Sequence, residues 1–199
     1  MKQNQLKKLV SFFYEIGNLR KVIRAHQQML LFQDLTDNIA THSFRTAFVG
    51  YFLAKELKAD ADKVIKMCLL HDIEEARSAD QNWVHKRYIK VFEDEIRDEQ
   101  LKDILHSKEL IKLSKEYQEK KTLEAKITKD ADLLDEILLL REYQLQGNKE
   151  AEFWLNPNKL KSQQEKLMHT ELAKALSKEA KKQEPTFWWK KLWTPNRRK

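Results

Sequence analysis

Three glycines and three prolines in 199 residues leave this chain few places to turn sharply, and that scarcity constrains its fold more than any other feature. Glycine supplies the backbone conformations that tight hairpins need, and proline punctuates loops. A chain short of both, in which Leu, Lys, Glu and Ala dominate, is expected to be all-α with short connections. Its length suits one well-packed domain.

The apolar spacing places the elements. Leu6, Leu9, Val10, Phe13 and Ile16 recur at intervals of three and four and predict a first core helix over residues 5–17. From Leu19 to Asn38 the pattern breaks into a long loop or a short helix, where Lys21 and Arg24 are available to an anion or form a solvated basic turn. Asp37 or Asn38 caps the next helix, which reaches about Leu57 with Ile39, Phe44, Ala47, Phe48, Tyr51, Phe52 and Ala54 on its buried side. Asp60 or Asp62 opens a helix running through Cys68 into His71. Residues 93–121 are charged throughout and read as one or two outer helices. Thr122 caps a strong helix whose stripe of Ile127, Ala131, Leu134 and Leu138 leaves Asp132 at its edge, with Gly147 as its stop. A last helix is expected over residues 158–182.

Chemistry concentrates between Met67 and Glu75, where an apolar run ends in His71, Asp72, Glu74 and Glu75. A His-Asp pair at the end of a buried helix lies on the rim of the core, where a metal site can be both built and reached. Because successive helical residues turn by about 100°, His71 and Asp72 can face one ion only near a helix end or at a shared edge. His42 lies in another half-apolar helical segment, and Asp132, flanked by Ala131 and Leu133, would be costly to bury unpaired. Taken singly, His42 reads as a core histidine and Asp132 as a surface carboxylate. Taken together with His71 and Asp72 they suit one divalent cation, Mn, Co, Fe, Zn or Mg, with water in the open positions. Glu75 follows Asp72 by three residues and His71 by four, so on a continuing helix it shares their side while Glu74 points elsewhere. It is the candidate general acid/base, or else a group orienting His71 from behind. His26, His85, His106 and His169 fall outside the pattern and read as surface residues.

The combination of His42, His71-Asp72, Glu75, Asp80 and Asp132 resembles the HD-domain superfamily of metal-dependent phosphohydrolases, and within it the small HD-domain 5′-nucleotidases. The resemblance covers about residues 5–150 of the chain. It implies a single HD-domain helical bundle, here residues 1–182, followed by a tail, residues 183–199. It also implies that His42, His71, Asp72 and Asp132 bind the metal, that Glu75 is the acid/base, and that Asp80 contacts the sugar of a nucleoside monophosphate. Lys86 falls where the family tends to carry a basic residue, and Lys21 or Arg24 stands in for an arginine that holds the substrate phosphate. Thr41 and Ala79 depart from the pattern, replacing an acidic residue before the first histidine and a glycine before Asp80. The expected activity is removal of phosphate from nucleoside 5′-monophosphates by a metal-activated water. The alternatives are another ester, such as a cyclic nucleotide or nucleoside triphosphate, or a non-catalytic interaction protein.

The net charge of +7 sits mostly at one end: residues 178–199 hold eight Lys or Arg against two Glu, so the body is nearly neutral. A basic tail is not a basic domain. Its run Phe187-Trp188-Trp189-Lys190-Lys191-Leu192-Trp193 can lie on a membrane interface, stack on nucleic acid, or fold back on the body or a partner subunit. An apolar outer face together with this tail is compatible with a homodimer. Lone Cys68 and the lack of a signal-like apolar run suggest a cytoplasmic protein.

Overall fold

The structure, a computed structural model, describes residues 1–156, 164–190 and 192. Along the chain run α1 (Gln3–Ile16), a 3-10 turn (Gly17–Lys21), α2 (His26–Leu30), α3 (Ile39–Glu56), α4 (Ala61–Leu70), α5 (Glu75–Ser78) and α6 (Trp83–Tyr88). They are followed by α7 (Glu93–Leu101), α8 (Ser107–Glu119), α9 (Leu123–Leu145), α10 (Lys149–Leu155), α11 (Gln164–Leu167), α12 (Glu171–Lys182) and α13 (Phe187–Lys190). Among the described residues there is no strand, only an antiparallel bridge between Ile23 and Asn38. The all-α expectation is met.

The axis is α9, 23 residues long and packed on by α3, α4, α8, α10 and α12. Being covered on most sides, it buries Ala125, Ile127, Ala131, Leu134, Ile137, Leu140 and Tyr143. Two apolar clusters flank it, and α4 feeds both: Val64 and Cys68 join Leu53, Ala54 and Ala131 in one, while Met67 and Leu70 join Leu101, Leu113 and Tyr117 in the other. The C-terminus of α4 therefore emerges where the two clusters meet, and His71 caps it there.

Capping is local and legible. The Asn38 side chain accepts the Thr41 amide at 3.1 Å while the Thr41 hydroxyl receives the Asn38 amide at 3.2 Å, a reciprocal cap that starts α3. Asp60 accepts the Lys63 amide and starts α4, and Thr122 accepts the Ala125 amide and starts α9. Past the end of α9, Gly147 adopts φ +90°, a conformation open to glycine at little cost.

Four expectations need correction. α1 has no fully buried residue, and Leu6, Val10 and Phe13 are 40%, 47% and 55% exposed. Phe12 touches the second cluster, and polar contacts such as Gln100 to Glu15 at 2.9 Å help to hold α1 on the outside. On α3, Ile39 and Ala54 are buried, but Phe44, Phe48, Tyr51 and Phe52 face outward, Phe44 by 65%. The reason is close helix packing: α3 buries His42, Ser43, Thr46, Gly50, Leu53 and Ala54 against α4 and α9, and small side chains are what such an approach tolerates. A Cβ on Gly50 would stand 2.8 Å from Cys68 Sγ and 2.9 Å from Val64 Cγ1.

The expected last helix is not continuous. α11 and α12 are separated because buried Asp130 accepts the His169 amide at 2.7 Å and the Thr170 amide at 2.8 Å, which lets Thr170 cap α12. The part of that expectation covering residues 158–163 lies outside the described residues. Finally, His26 is not a surface residue: it is buried and 2.8 Å from Asp37, and His85 is half-buried, whereas His106 and His169 are exposed. In the tail, Trp188 and Trp189 are exposed on α13, while Lys191, Trp193 and the terminal basic residues lie outside the described residues. No described helix is long and apolar enough to cross a membrane.

Candidate metal centre

Three elements converge. α3 contributes His42 from the end of its first turn, the end of α4 and the turn after it contribute His71 and Asp72, and α9 contributes Asp132. His42 Nε2 lies 3.1 Å from His71 Nε2, 3.4 Å from Asp132 Oδ1 and 3.6 Å from Asp72 Oδ2, and His71 Nε2 lies 3.1 Å from Asp72 Oδ2. Donors bonded to one ion at about 2.1 Å stand about 3.0 Å apart in octahedral and about 3.4 Å in tetrahedral geometry, so these spacings suit a shared cation. His42, His71 and Asp72 form the tightest group, with ligand atoms all within 4.8 Å of one another. Asp132 joins it through His42, its other oxygen being held by Lys129 at 2.6 Å.

The hydrogen bonds behind the imidazoles test whether a cation fits. His71 Nδ1 faces the Cys68 carbonyl at 2.7 Å, and His42 Nδ1 faces Asp135 Oδ2 at 2.6 Å. Both acceptors demand a proton on Nδ1, so both Nε2 lone pairs point at one another and at two carboxylates. A cation is what such a cluster of lone pairs and negative charge accommodates, and tethering of the far nitrogen is the usual arrangement of a histidine ligand. In the metal-free protein the same cluster draws a proton instead. Burial and the nearby Arg24 cation oppose protonation of His42, but hydrogen bonds to Asp132 and Asp135 outweigh them and hold its pKa up at about 9. Burial likewise opposes ionisation of Asp72, yet the His71 and His42 imidazoles bring its pKa down to about 2.

In front of the cluster opens a cavity of about 280 Å³, lined by His71, Asp72 and Asp132 together with Glu75, Arg24, Asp80 and Lys86. Lys21 is not among its lining residues and is exposed at the end of the 3-10 turn, so the candidate anion contact on that loop is Arg24 alone. Arg24 is nine-tenths buried, and its Nη1 has no hydrogen-bond partner. Asp80 is tied to the same loop: its Oδ2 accepts the Ala25 amide at 2.7 Å and lies 3.7 Å from Arg24 Nε.

Glu75 reaches this cavity by a different route from the one expected. The helix does not persist: α4 ends at Leu70, residues 71–74 turn, and Glu75 opens α5. Burial and the carboxylates of Asp72 and Asp80 push the Glu75 pKa up to about 10, and its Oε2 has no partner. That same turn brings in Glu74, which was expected to point away. It is buried, lines the cavity and has its pKa pushed up to about 7, chiefly by burial. Four further residues were not evident from the sequence. Lys129 and Lys120 line the cavity, and Asp135 stands behind His42 with Arg45 beside it. Asp135 follows Asp132 by one turn of α9, and Arg45 follows His42 by three residues, spacings that identify them only once the first pair is known to meet.

Known proteins resemble this chain over much of its length. The HD-domain family profile matches residues 16–175. The chain is 31% identical over 126 residues to 5′-deoxynucleotidase HDDC2 of Dictyostelium discoideum, a match covering 57% of this chain and 66% of that protein. A conserved hypothetical protein from Pyrococcus furiosus superposes with a TM-score of 0.71 at 29% identity, covering 87% of this chain and 99% of the other. A predicted metal-dependent phosphohydrolase from Magnetospirillum magnetotacticum shares the fold, with a TM-score of 0.58 at 21% identity over 89% of this chain and 96% of its own. The matched span contains α3, α4 and α9 with the residues they gather, and on that ground the chain belongs to the HD-domain family.

Proposed function

We propose that this protein removes the phosphate from nucleoside 5′-monophosphates, with His42, His71, Asp72 and Asp132 holding one divalent cation. The observation that carries this reading is a single polar cavity faced at once by the cluster of lone pairs, by a buried arginine with an unpartnered nitrogen, and by a carboxyl group that favours its protonated form. When bound, such a cation supplies a water of lowered pKa and offsets charge on a phosphoryl oxygen.

The side chains divide the remaining work. Arg24 is the anion contact on the cavity wall, held in place by burial and by the carboxylates around it. Lys86, Lys120 and Lys129 add positive charge to the same walls. Glu75 holds a proton on a carboxyl oxygen inside the cavity, where it can pass to the departing sugar oxygen and be recovered from the attacking water. Asp80 holds the Arg24 loop to the wall and supplies an acceptor beside it for a sugar hydroxyl. The similarity to a 5′-deoxynucleotidase supports a nucleotide over other esters.

Purified protein, stripped of metal and reloaded with Mn²⁺, Co²⁺, Fe²⁺, Zn²⁺ or Mg²⁺ in turn, is expected to release inorganic phosphate from a panel of nucleoside monophosphates. Turnover should vanish in His71→Ala and Asp72→Ala. Release of a nucleotide from a cyclic nucleotide, or of pyrophosphate from a triphosphate, would assign a different ester. Absence of turnover with every metal, or its survival in those variants, rejects the enzymatic reading.

A further inference from the structure

We propose that Asp135 decides which nitrogen of His42 faces the cation, and that Arg45 decides how Asp135 can act; the inference rests on the cation site proposed above. Asp135 is almost wholly buried, and its Oδ2 lies 2.6 Å from His42 Nδ1. A carboxylate only accepts, so Nδ1 donates and the Nε2 lone pair is left toward Asp72 and Asp132. The Thr46 hydroxyl, at 3.4 Å from Nδ1, is a much weaker competitor. His71 is held by a backbone carbonyl, which no side-chain substitution removes, so His42 is the imidazole whose orientation a single residue controls.

Asp135 is itself held in one orientation. Arg45 Nε donates to its Oδ1, Arg45 Nη2 donates to its main-chain carbonyl at 3.2 Å, and Arg45 Nη1 donates to Glu142 Oε1 at 2.8 Å. Arg24 Nη1 stands 3.9 Å from Oδ2, adding charge without a hydrogen bond. α9 thus presents Asp132 to the front of His42 and, one turn later, Asp135 to its back.

This arrangement makes a substitution that is nearly isosteric informative. In Asp135→Asn the Arg45 donor retains the amide oxygen, which turns the amide NH₂ toward His42 Nδ1. Facing a donor, Nδ1 must accept, and the proton moves to Nε2, where it blocks the lone pair. Removing Arg45 as well frees the amide to rotate and offer its oxygen instead. Asp135→Asn should therefore be more harmful alone than with Arg45→Met.

The test measures Zn²⁺ and Mn²⁺ affinity by chelator competition on metal-stripped protein, with long-range ¹H–¹⁵N spectra of the zinc-loaded protein reporting the His42 tautomer. The parent is expected to show the proton on Nδ1. Asp135→Asn should bind roughly 10- to 100-fold more weakly, the range typical for groups that orient ligands, and Arg45→Met with Asp135→Asn should recover part of that loss. The inference is overturned if Asp135→Asn binds as the parent does, if the double variant binds no better than the single, or if the parent carries the proton on Nε2. The parent spectrum decides the matter even if the variants do not fold. His42→Ala separates the two levels: a parent that binds no cation ends both readings, whereas a parent that binds through His42 but is indifferent to Asp135→Asn ends only this one.

Discussion

Ala79 sits at φ 57°, ψ 164°, a backbone region that side-chain-bearing residues rarely occupy and that typically costs about 1–3 kcal/mol. It is the residue before Asp80, so the strain lies in the turn that brings Asp80 onto the Arg24 loop. Ala79→Gly is expected to stabilise the protein by about 1 kcal/mol net of glycine's greater unfolded-state entropy. In a thermal melt this should raise Tm by roughly 2–4 °C. At Glu75 the prediction concerns chemistry: Glu75→Gln should lower kcat by roughly 10²- to 10⁴-fold, the usual worth of a positioned acid/base, while cation affinity measured by chelator competition stays within a few-fold. A collapse of affinity instead would place Glu75 behind a ligand. Asp37 carries a stability prediction. Burial opposes its ionisation, but the hydrogen bond and charge of His26 outweigh burial and lower its pKa below the ordinary 3.8. A depressed carboxylate stabilises the fold above that value and loses its contribution as pH falls through the folded pKa. Asp37→Asn should thus lose about 1.5–3 kcal/mol at pH 7 in urea unfolding, and the gap to the parent should narrow below about pH 3.8.

Helix α3 shows how one element can serve two masters. Its inward stripe is small and polar because α4 passes so close at Gly50, and that approach brings His42 within reach of the end of α4 and the middle of α9. Gly50→Ala gains about 1 kcal/mol of helix propensity but drives a Cβ into Cys68 and Val64, neither of which can swing away on a long side chain. The expected net is a loss of about 1–2 kcal/mol, or roughly 2–8 °C in Tm. Gly17→Ala is the control, because nothing lies within 4 Å of a Cβ there and its φ of −62° suits any residue. It should be neutral or slightly stabilising.

For the molecule as a whole, a cation that gathers α3, α4 and α9 should report on folding as well as on catalysis. A ligand bound only by the native state at 100 times its Kd adds about 2.7 kcal/mol. For a chain of this size that is roughly 5–10 °C in Tm. Adding the preferred metal to stripped protein should raise Tm by about that amount, a chelator should reverse it, and His71→Ala should be insensitive to both. A Tm that metal leaves unchanged in the parent contradicts a site shared by three helices.

The sequence alone determined the helical class, narrowed the caps to Asp37 or Asn38, to Asp60 or Asp62, and to Thr122, and paired His71 with Asp72, because each depends on backbone preferences and spacing within a few residues, while the structure chose Asn38 and Asp60. Local context offered His42, Asp132 and Glu75 as candidates, and the family resemblance joined them with His71 and Asp72 into one site. Only the tertiary structure decided which face of α3 is buried, since its most apolar side chains are too large for the packing that α4 imposes. The same holds for Glu74, turned into the cavity by a break in the helix, for Lys21, left outside it, and for Asp135, whose role exists only because α3 and α9 cross at His42. Contacts between residues some 90 positions apart leave no mark in local spacing. They follow from how helices pack, and packing is settled by the whole chain at once.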